Sequence, residues 1–233
     1  MPVFPAHEFY ACGDHAFTLD FGQQIDAGIN RCIIALFQQL QKQQYPFVLD
    51  IIPAYSSITI VYDALFLMQQ QISPEKMIHQ CFTDAIREAE KMQVAESGCV
   101  IRIPVCYHPS LAPDLEDVCR QQNIDIETLI ALHTQKTYRV FMNGFLPGFA
   151  YLGTVDERIV LPRHSTPRKK VPAGSVGIAG HQTGIYPFES PGGWQLIGRT
   201  RLSLFNPEDE HPCLLKPGDE VVFYAVPIET FQS

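Results

Sequence analysis

Hydrophobic and polar positions in the N-terminal part of the chain repeat with two different periods. Alternation over residues 17–21, 48–52 and 57–62 predicts short, half-buried strands. Elsewhere apolar residues recur every three or four positions, which predicts two amphipathic helices. The apolar face of the first helix comprises Ile25, Ile29, Cys32, Ile33, Leu36 and Leu40. The second helix begins at Ser73-Pro74-Glu75, with Ser73 as its N-cap. Its apolar face comprises Met77, Ile78, Cys81, Phe82, Ala85, Ile86 and Ala89. The pattern predicts a small sheet with two helices on one face.

Beyond the segment Glu96-Ser97-Gly98 the pattern changes to short β-prone runs separated by glycine and proline. Predicted strands cover residues 100–105, 138–142, 175–179, 194–197, 202–205 and 220–226, and two short helices cover residues 114–122 and 126–133. Many short strands at close spacing are typical of a barrel or a sandwich. We therefore expect an α+β protein with two domains, residues 1–96 and residues 97–233.

Composition narrows the class of protein. Of the 233 residues, 46% are hydrophobic and 18% are charged, which is ordinary for a globular protein with a core. The formal net charge of −8 argues against general binding to nucleic acid or anionic membranes, because both depend on clustered cations. The N-terminus lacks the pattern of a signal peptide, and the longest apolar run, residues 33–37, is too short to span a bilayer. The seven scattered cysteines include no C-x-x-C pair, so we expect reduced thiols and a cytoplasmic location.

Residues 143–200 are unusually dense in glycine, proline and aromatic residues. The region contains the segments GFLPGFAYLG (144–153), R-x-x-TPR (163–168), VPAGSVGIAGHQTGIYP (171–187) and ESPGGWQLIGRT (189–200). Together with GDHA (13–16) and DIIPAY (50–55), these segments resemble the signature of the family of KipI and the 5-oxoprolinase B subunit, which is also described as allophanate hydrolase subunit 1-like. The resemblance covers nearly the whole chain. It implies a small N-terminal α/β sandwich-type domain followed by a C-terminal cyclophilin-like β-barrel, in agreement with the pattern above.

Polar residues within these glycine- and proline-braced loops are the candidate site residues. The candidates for acid–base catalysis are His181 and Glu189. The candidates for binding a substrate or a phosphate are Arg163, Arg168, Gln182 and Tyr186. An arginine suits planar carboxylates and phosphates because its fork donates two parallel hydrogen bonds. The alternative to a binding site is an ordinary solvated loop, and for Lys169 and Lys170 we prefer that alternative. We expect Trp194 to lie in the core rather than to serve as a platform for a ligand.

Several nucleotide and metal motifs are absent from the sequence. It contains no G-x-G dinucleotide or kinase loop and no G-x-x-x-x-G-K-[ST] phosphate loop. The eight histidines show no metal-binding spacing. We therefore predict no metal and no organic cofactor in this chain, and any ATP site has to be non-standard or shared with a partner.

The resemblance implies three functions. The favoured one is the B subunit of an ATP-dependent 5-oxoprolinase, which hydrolyses 5-oxo-L-proline to L-glutamate together with a LamB/YcsF-like A subunit and a KipA-like C subunit. ATP is then a co-substrate of the complex, and this chain is expected to be inactive alone. The second is a KipI-type inhibitor that docks on a sensor histidine kinase. The third is a carboxyltransferase or allophanate-processing subunit of urea metabolism, which ranks last because the sequence shows no biotin carrier or amidase segment. Fold alone does not separate these functions.

Overall fold

The hydrophobic core of the protein is divided between two units, residues 1–97 and residues 98–233. The computed structural model describes residues 4–91 and 98–231. Most of the predicted boundary at Glu96-Ser97-Gly98 lies outside the described residues.

The first unit is a four-stranded antiparallel sheet with helices packed on it. Its elements are β1 (Glu8–Ala11), β2 (Ala16–Asp20), α1 (Ala27–Gln43), β3 (Val48–Pro53), β4 (Ser57–Tyr62), α2 (Ala64–Gln69) and α3 (Pro74–Lys91). The strands lie in the order β1-β2-β4-β3. Alternation along β4 buries Ile58, Ile60 and Tyr62, which share one core with the apolar faces of α1 and α3. The predicted strands and both long helices are confirmed.

Capping residues determine where the long helices begin. Asp26 precedes α1, and its side chain accepts a hydrogen bond of 2.8 Å from the Ile29 amide. Ser73 precedes α3, as predicted, although the Lys76 amide lies 3.5 Å from its hydroxyl oxygen. Ile25 lies before α1 and is exposed, because the helix begins two residues later than its apolar pattern suggests.

The second unit contains a barrel. Its elements are β5 (Val100–Val105), α4 (Leu115–Gln122), α5 (Ile126–Thr134), β6 (Thr137–Asn143), β7 (Ala150–Gly153), β8 (Arg168–Val171), β9 (Ser175–Ala179), β10 (Gln182–Ile185), β11 (Ser190–Gly192), β12 (Gln195–Arg199) and β13 (Glu220–Ala225), with 3-10 turns at Glu157–Ile159 and Ile228–Phe231. Seven strands form one sheet in the order β12-β9-β10-β7-β6-β13-β5, and β8 pairs with β11 in a separate ribbon. Cys106, directly after β5, and Arg199, at the end of β12, exchange backbone hydrogen bonds of 2.8 and 3.0 Å. These two bonds join the outer strands of the sheet and close the barrel. The predicted α+β fold with a barrel is thus confirmed.

A polar group lies inside the otherwise apolar barrel. His133, on α5, is fully buried; its Nε2 is 2.9 Å from the Thr183 hydroxyl oxygen, and its Nδ1 is 2.7 Å from the Tyr107 hydroxyl oxygen. Because Thr183 donates its own proton to the Gly177 carbonyl oxygen, it accepts a hydrogen bond from Nε2–H, and Nδ1 accepts one from Tyr107. Burial lowers the pKa of His133 to about 3, so the imidazole is neutral at pH 7.

Prediction and structure differ mainly in the glycine- and proline-rich region. The predicted strand over residues 202–205 is wrong, since Phe205 forms only an isolated bridge with Cys213. Strands β1, β7, β8, β10 and β11 and the short helix α2 are absent from the prediction. The strands have three or four residues and the helix has six, which is too short for a periodic pattern to be recognised.

Candidate functional site

A pocket with aromatic walls opens on the second unit, beside the β8–β11 ribbon. Its volume is about 250 Å³. Five aromatic side chains line it, namely Phe145, Phe149, Tyr151, Tyr186 and Trp194. Arg163 and His164 supply its polar wall, and proline and glycine residues complete the lining. We call this space the aromatic pocket.

Phe149 lies at the centre of the aromatic cluster. Its ring centroid is 4.9 Å from that of Tyr151 and 5.4 Å from those of Tyr186 and Trp194, with interplanar angles of 63°, 77° and 89°. These are edge-to-face arrangements, which aromatic pairs favour. Phe149, Tyr186 and Trp194 are buried, whereas Phe145 is 58% exposed. The pocket therefore has a closely packed floor and an exposed aromatic rim.

A tight loop between β6 and β7 presents the rim. The Gly144 amide donates a hydrogen bond of 3.1 Å to the Phe149 carbonyl oxygen, and Gly148 has a φ of +81°. A Cβ atom on Gly148 would lie 2.8 Å from the Phe205 Cβ, so the close approach requires glycine. Phe145 has a φ of +69°, which is unfavourable for a bulky side chain. Such strained positions cluster at functional sites.

The segment that carries Arg163 and His164 is anchored to neighbouring strands. Three hydrogen bonds hold it: the Gly180 amide to Leu161 O (2.6 Å), Gln195 Nε2 to Pro162 O (3.0 Å), and the His164 amide to Gly193 O (2.7 Å). The guanidinium carbon of Arg163 lies 5.8 Å from the centroid of the Trp194 ring, a cation–π distance. Within residues 4–91 and 98–231, no carboxylate lies at ion-pair distance from Arg163. The positive charge of Arg163 therefore lies at the pocket wall, and no carboxylate among the described residues pairs with it.

A buried carboxylate, that of Asp114, lies next to the pocket wall. Asp114 is 3% exposed and occupies the N-cap position of α4, but its side chain does not cap that helix. Instead Oδ1 accepts a hydrogen bond from Arg168, and Oδ2 accepts one of 2.6 Å from the Leu196 amide. Nε2 of His164 lies 3.3 Å from Oδ2. The carboxylate therefore joins α4, β8, β12 and the pocket segment.

The structure brings only some of the predicted binding residues together. Arg163 and Tyr186 both line the aromatic pocket. Burial raises the pKa of the Tyr186 hydroxyl, so this group is a neutral hydrogen-bonding group at pH 7. Arg168 binds Asp114 beside the pocket rather than lining it. Gln182 is on β10 next to Thr183, whose side chain enters the barrel, so Gln182 faces the opposite side of the sheet.

The two predicted catalytic residues lie elsewhere on the second unit. His181 Nδ1 is 3.4 Å from Glu157 Oε1, and both side chains are largely exposed. Glu189 Oε1 is 3.1 Å from Lys170 Nζ in an exposed ion pair. Neither His181 nor Glu189 lines the aromatic pocket. A catalytic role for them stays a prediction.

Sequence reasoning missed Asp114 and His164. The signal for His164 was present, because it follows Arg163 within the R-x-x-TPR segment. Asp114 lies in a different region of the sequence, and its pattern matches an ordinary helix start. Trp194 is buried, as expected, but one side of it also forms the pocket wall.

Neither a metal cluster nor a membrane-spanning helix is found in the part of the chain that the structure describes. Within it, no cluster of three or more His, Cys, Asp or Glu side chains is arranged to hold a metal ion. No helix in the same residues has the length and apolar character needed to cross a membrane.

Comparison with known proteins identifies the family. The model for the carboxyltransferase domain, subdomain C and D, matches residues 7–215. The chain belongs to this family. It is 41% identical over 219 residues to the 5-oxoprolinase B subunit of Bacillus subtilis (strain 168), covering 92% of this chain and 90% of that protein. It is 38% identical over 215 residues to the 5-oxoprolinase B subunit of Escherichia coli O157:H7, covering 92% and 94%. The resemblance inferred from the motifs is confirmed.

Solved structures support the same fold. The crystal structure of TTHA0988 superposes with a TM-score of 0.76 and 36% sequence identity, covering 91% of this chain and 40% of that chain. The urea amidolyase of K. lactis superposes with a TM-score of 0.75 over 98% of this chain and 15% of that chain, at 21% identity. At that identity the likeness concerns the fold alone. This chain therefore corresponds to a part of each of these larger proteins.

Proposed function

We propose that this chain is the B subunit of a 5-oxoprolinase, which hydrolyses the lactam of 5-oxo-L-proline to L-glutamate. The observation that carries the proposal is the 41% identity, over 92% of this chain, to a protein of that name. The proposed assembly includes a KipA-like C subunit and a LamB/YcsF-like A subunit, uses ATP as co-substrate and works in the cytoplasm.

The aromatic pocket has the chemistry that this substrate requires. 5-Oxoproline is a small five-membered ring with a carboxylate, an amide N–H and a lactam carbonyl. The rings of Tyr151 and Trp194 supply apolar walls for the substrate ring, and Arg163 supplies a cation for its carboxylate. Contact with Trp194 restrains the Arg163 side chain before the ligand arrives, which lowers the entropy cost of binding.

The need for other subunits follows from the chemistry and from the open pocket. A lactam carbonyl is a poor electrophile, and transfer of a phosphoryl group from ATP to its oxygen makes attack by water feasible. The sequence contains no ordinary phosphate loop, so the nucleotide site is assigned to a partner or to a shared surface. Phe145 is 58% exposed at the pocket rim. A partner that covers this rim excludes bulk water from the reaction.

The test is reconstitution of the three purified subunits with 5-oxoproline and ATP, followed by measurement of glutamate. Arg163→Ala is expected to raise KM for 5-oxoproline by about 10- to 100-fold, because a charge-assisted hydrogen bond contributes about 1.5–3 kcal/mol. Arg120→Ala is the matched control, since Arg120 forms an exposed ion pair with Asp117 on α4. No glutamate from the wild-type mixture would refute the proposed function. An unchanged KM in Arg163→Ala would remove Arg163 from the binding site.

The same preparations separate this function from the two alternatives. Turnover of urea or allophanate by the mixture, without turnover of 5-oxoproline, would favour the subunit of urea metabolism. A lowered autophosphorylation rate of a sensor histidine kinase in the presence of this chain alone would favour the inhibitor.

A further inference from the structure

The aromatic pocket contains a histidine with one buried and one accessible side. The His164 side chain is 31% exposed, yet its Nε2 is buried. The accessible part of the ring therefore lies away from Nε2, and the residue lines the pocket. Among the described residues Nε2 has no hydrogen-bond partner of good geometry, and the Asp114 carboxylate at 3.3 Å is its ion-pair contact.

Two contacts hold the Asp114 carboxylate next to Nε2, and a third holds the Asp114 backbone. Arg168 binds one oxygen of Asp114, and the Leu196 amide binds the other at 2.6 Å. The Asp114 amide also donates a hydrogen bond of 3.1 Å to the Leu196 carbonyl oxygen. These contacts fix the orientation of the Asp114 side chain. Its negative charge therefore lies beside the His164 ring. A carboxylate beside a ring nitrogen favours the tautomer that carries its proton on that nitrogen.

We propose that His164, oriented by Asp114, is the residue of the aromatic pocket that transfers protons to and from the substrate. This proposal rests on the proposed function. Because Nε2 is buried and lies 3.3 Å from the Asp114 carboxylate, we assign the ring proton to Nε2, which leaves the Nδ1 lone pair on the accessible side of His164 as the basic site. Asp114 and Arg168 are positioning residues, because they act through the imidazole and do not line the pocket.

The step starts from the lactam whose carbonyl oxygen carries the phosphoryl group of ATP. As the oxygen of a water molecule forms a bond to the ring carbon, one proton of the water moves to Nδ1 of His164, and the resulting imidazolium lies beside the Asp114 carboxylate. When the carbon–nitrogen bond of the ring breaks, that proton passes from Nδ1 to the departing nitrogen, and His164 returns to its neutral form. The new hydroxyl group gives its own proton to the amine and becomes the carbonyl group of an acyl phosphate. A second water molecule then releases inorganic phosphate and leaves glutamate.

The experiment uses the reconstituted three-subunit complex with His164→Asn. The side chain is partly exposed, so folding is expected to be preserved, and Trp194 fluorescence reports on this unit. We expect kcat to fall by about 10²- to 10⁴-fold, the usual contribution of a general acid–base residue, with KM for 5-oxoproline nearly unchanged. The exposed His211→Asn is the matched control and should leave kcat unchanged.

A pH profile separates proton transfer from a structural role. In the wild type, kcat should fall on the acidic side as the base becomes protonated, and His164→Asn should lack this limb. Asp114→Asn should lower kcat with KM for 5-oxoproline nearly unchanged, because Asp114 acts through the imidazole and does not touch the substrate. An acidic limb that persists in His164→Asn would overturn the proposal.

The outcomes separate failure of the proposed function from failure of the His164 role. If the wild-type complex forms no glutamate, the proposed function fails. If the wild type is active and His164→Asn retains its kcat, only this inference fails. Loss of kcat in His181→Asn but not in His164→Asn would move the role to the exposed His181–Glu157 pair and would likewise overturn it.

Discussion

Mild acid should destabilise the barrel through a single buried imidazole, that of His133. The ring is fully buried and stacks on Phe223 at 4.6 Å. It donates a hydrogen bond to Thr183 and accepts one from Tyr107 at Nδ1, and the second bond requires the neutral ring. In the unfolded chain the same imidazole is solvated and titrates near pH 6.5. Lowering the pH below that value therefore protonates the unfolded state and not the folded one, and stability falls as the pH falls.

The size of the loss follows from the two pKa values. Burial lowers the pKa of His133 to about 3 in the folded protein. A folded pKa near 3 and an unfolded pKa of about 6.5 give a loss of about 2 kcal/mol between pH 7 and pH 5, and of about 5 kcal/mol once the pH is below both values. The loss reached at pH 5 is nearly the same for any folded pKa below about 4. Carboxylates with lowered pKa values, such as Asp156 beside Arg158, affect stability mainly at lower pH.

The assay is urea unfolding at pH 7, 6 and 5, followed by fluorescence of Trp194, the single tryptophan, which lies in the same unit as His133. The matched variant is His133→Gln, which can accept from Tyr107 and donate to Thr183 but does not titrate. It loses the stacking on Phe223, so it should be less stable at pH 7. Its free energy of unfolding should nevertheless stay flat down to pH 5. An equal decline in both proteins, at equal m-values, would refute the reasoning.

Two other predictions test the packing directly. Gly192→Ala should lower the free energy of unfolding by about 1–3 kcal/mol through overpacking, because the new Cβ would lie 2.5 Å from the Tyr186 hydroxyl oxygen. The control is Gly193→Ala, whose Cβ would have no neighbour nearer than 3.6 Å. In the same unfolding assay its free energy of unfolding should stay within about 0.5 kcal/mol of the wild type. The second prediction concerns the cysteines and is tested by alkylation of the native protein followed by peptide mass analysis. The exposed Cys12 and Cys99 should react first, whereas the buried thiols should react only in denaturant, because burial hides them and raises their pKa. Fast labelling of a buried thiol would contradict the burial.

Elements with a strong local signal were predictable. Helix α3 has a capping serine, a proline in its first turn and an apolar face that repeats over many residues, so its start and its buried side both follow from the sequence. Strands β4, β5 and β9 have the predicted bounds, because hydrophobic alternation or a run of β-prone residues persists through each. The short strands around the aromatic pocket carry too few residues for either signal.

The site was predictable as a region but not as a set of side chains. The density of glycine, proline and aromatic residues pointed to the segment that supplies most of the pocket lining, including Arg163 and Tyr186. It did not separate these two from His181 and Glu189, because all four lie outside the strands, where the direction of a side chain depends on contacts with distant parts of the chain. His181 and Glu189 directly precede short strands, and each forms an exposed ion pair instead.

By itself, the amino-acid sequence determined the α+β composition, the start of α3 and, through contiguous motifs, the family. Those features depend on residues within one turn or one strand of each other. Only the tertiary structure decided that Cys106 meets Arg199 to close the barrel and that Asp114 meets Leu196, 82 residues away, beside His164. Such contacts arise from the order and register of strands across the whole sheet. Local periodicity in the sequence indicates which face of a helix or strand is buried, but it does not indicate which residues pack against that face.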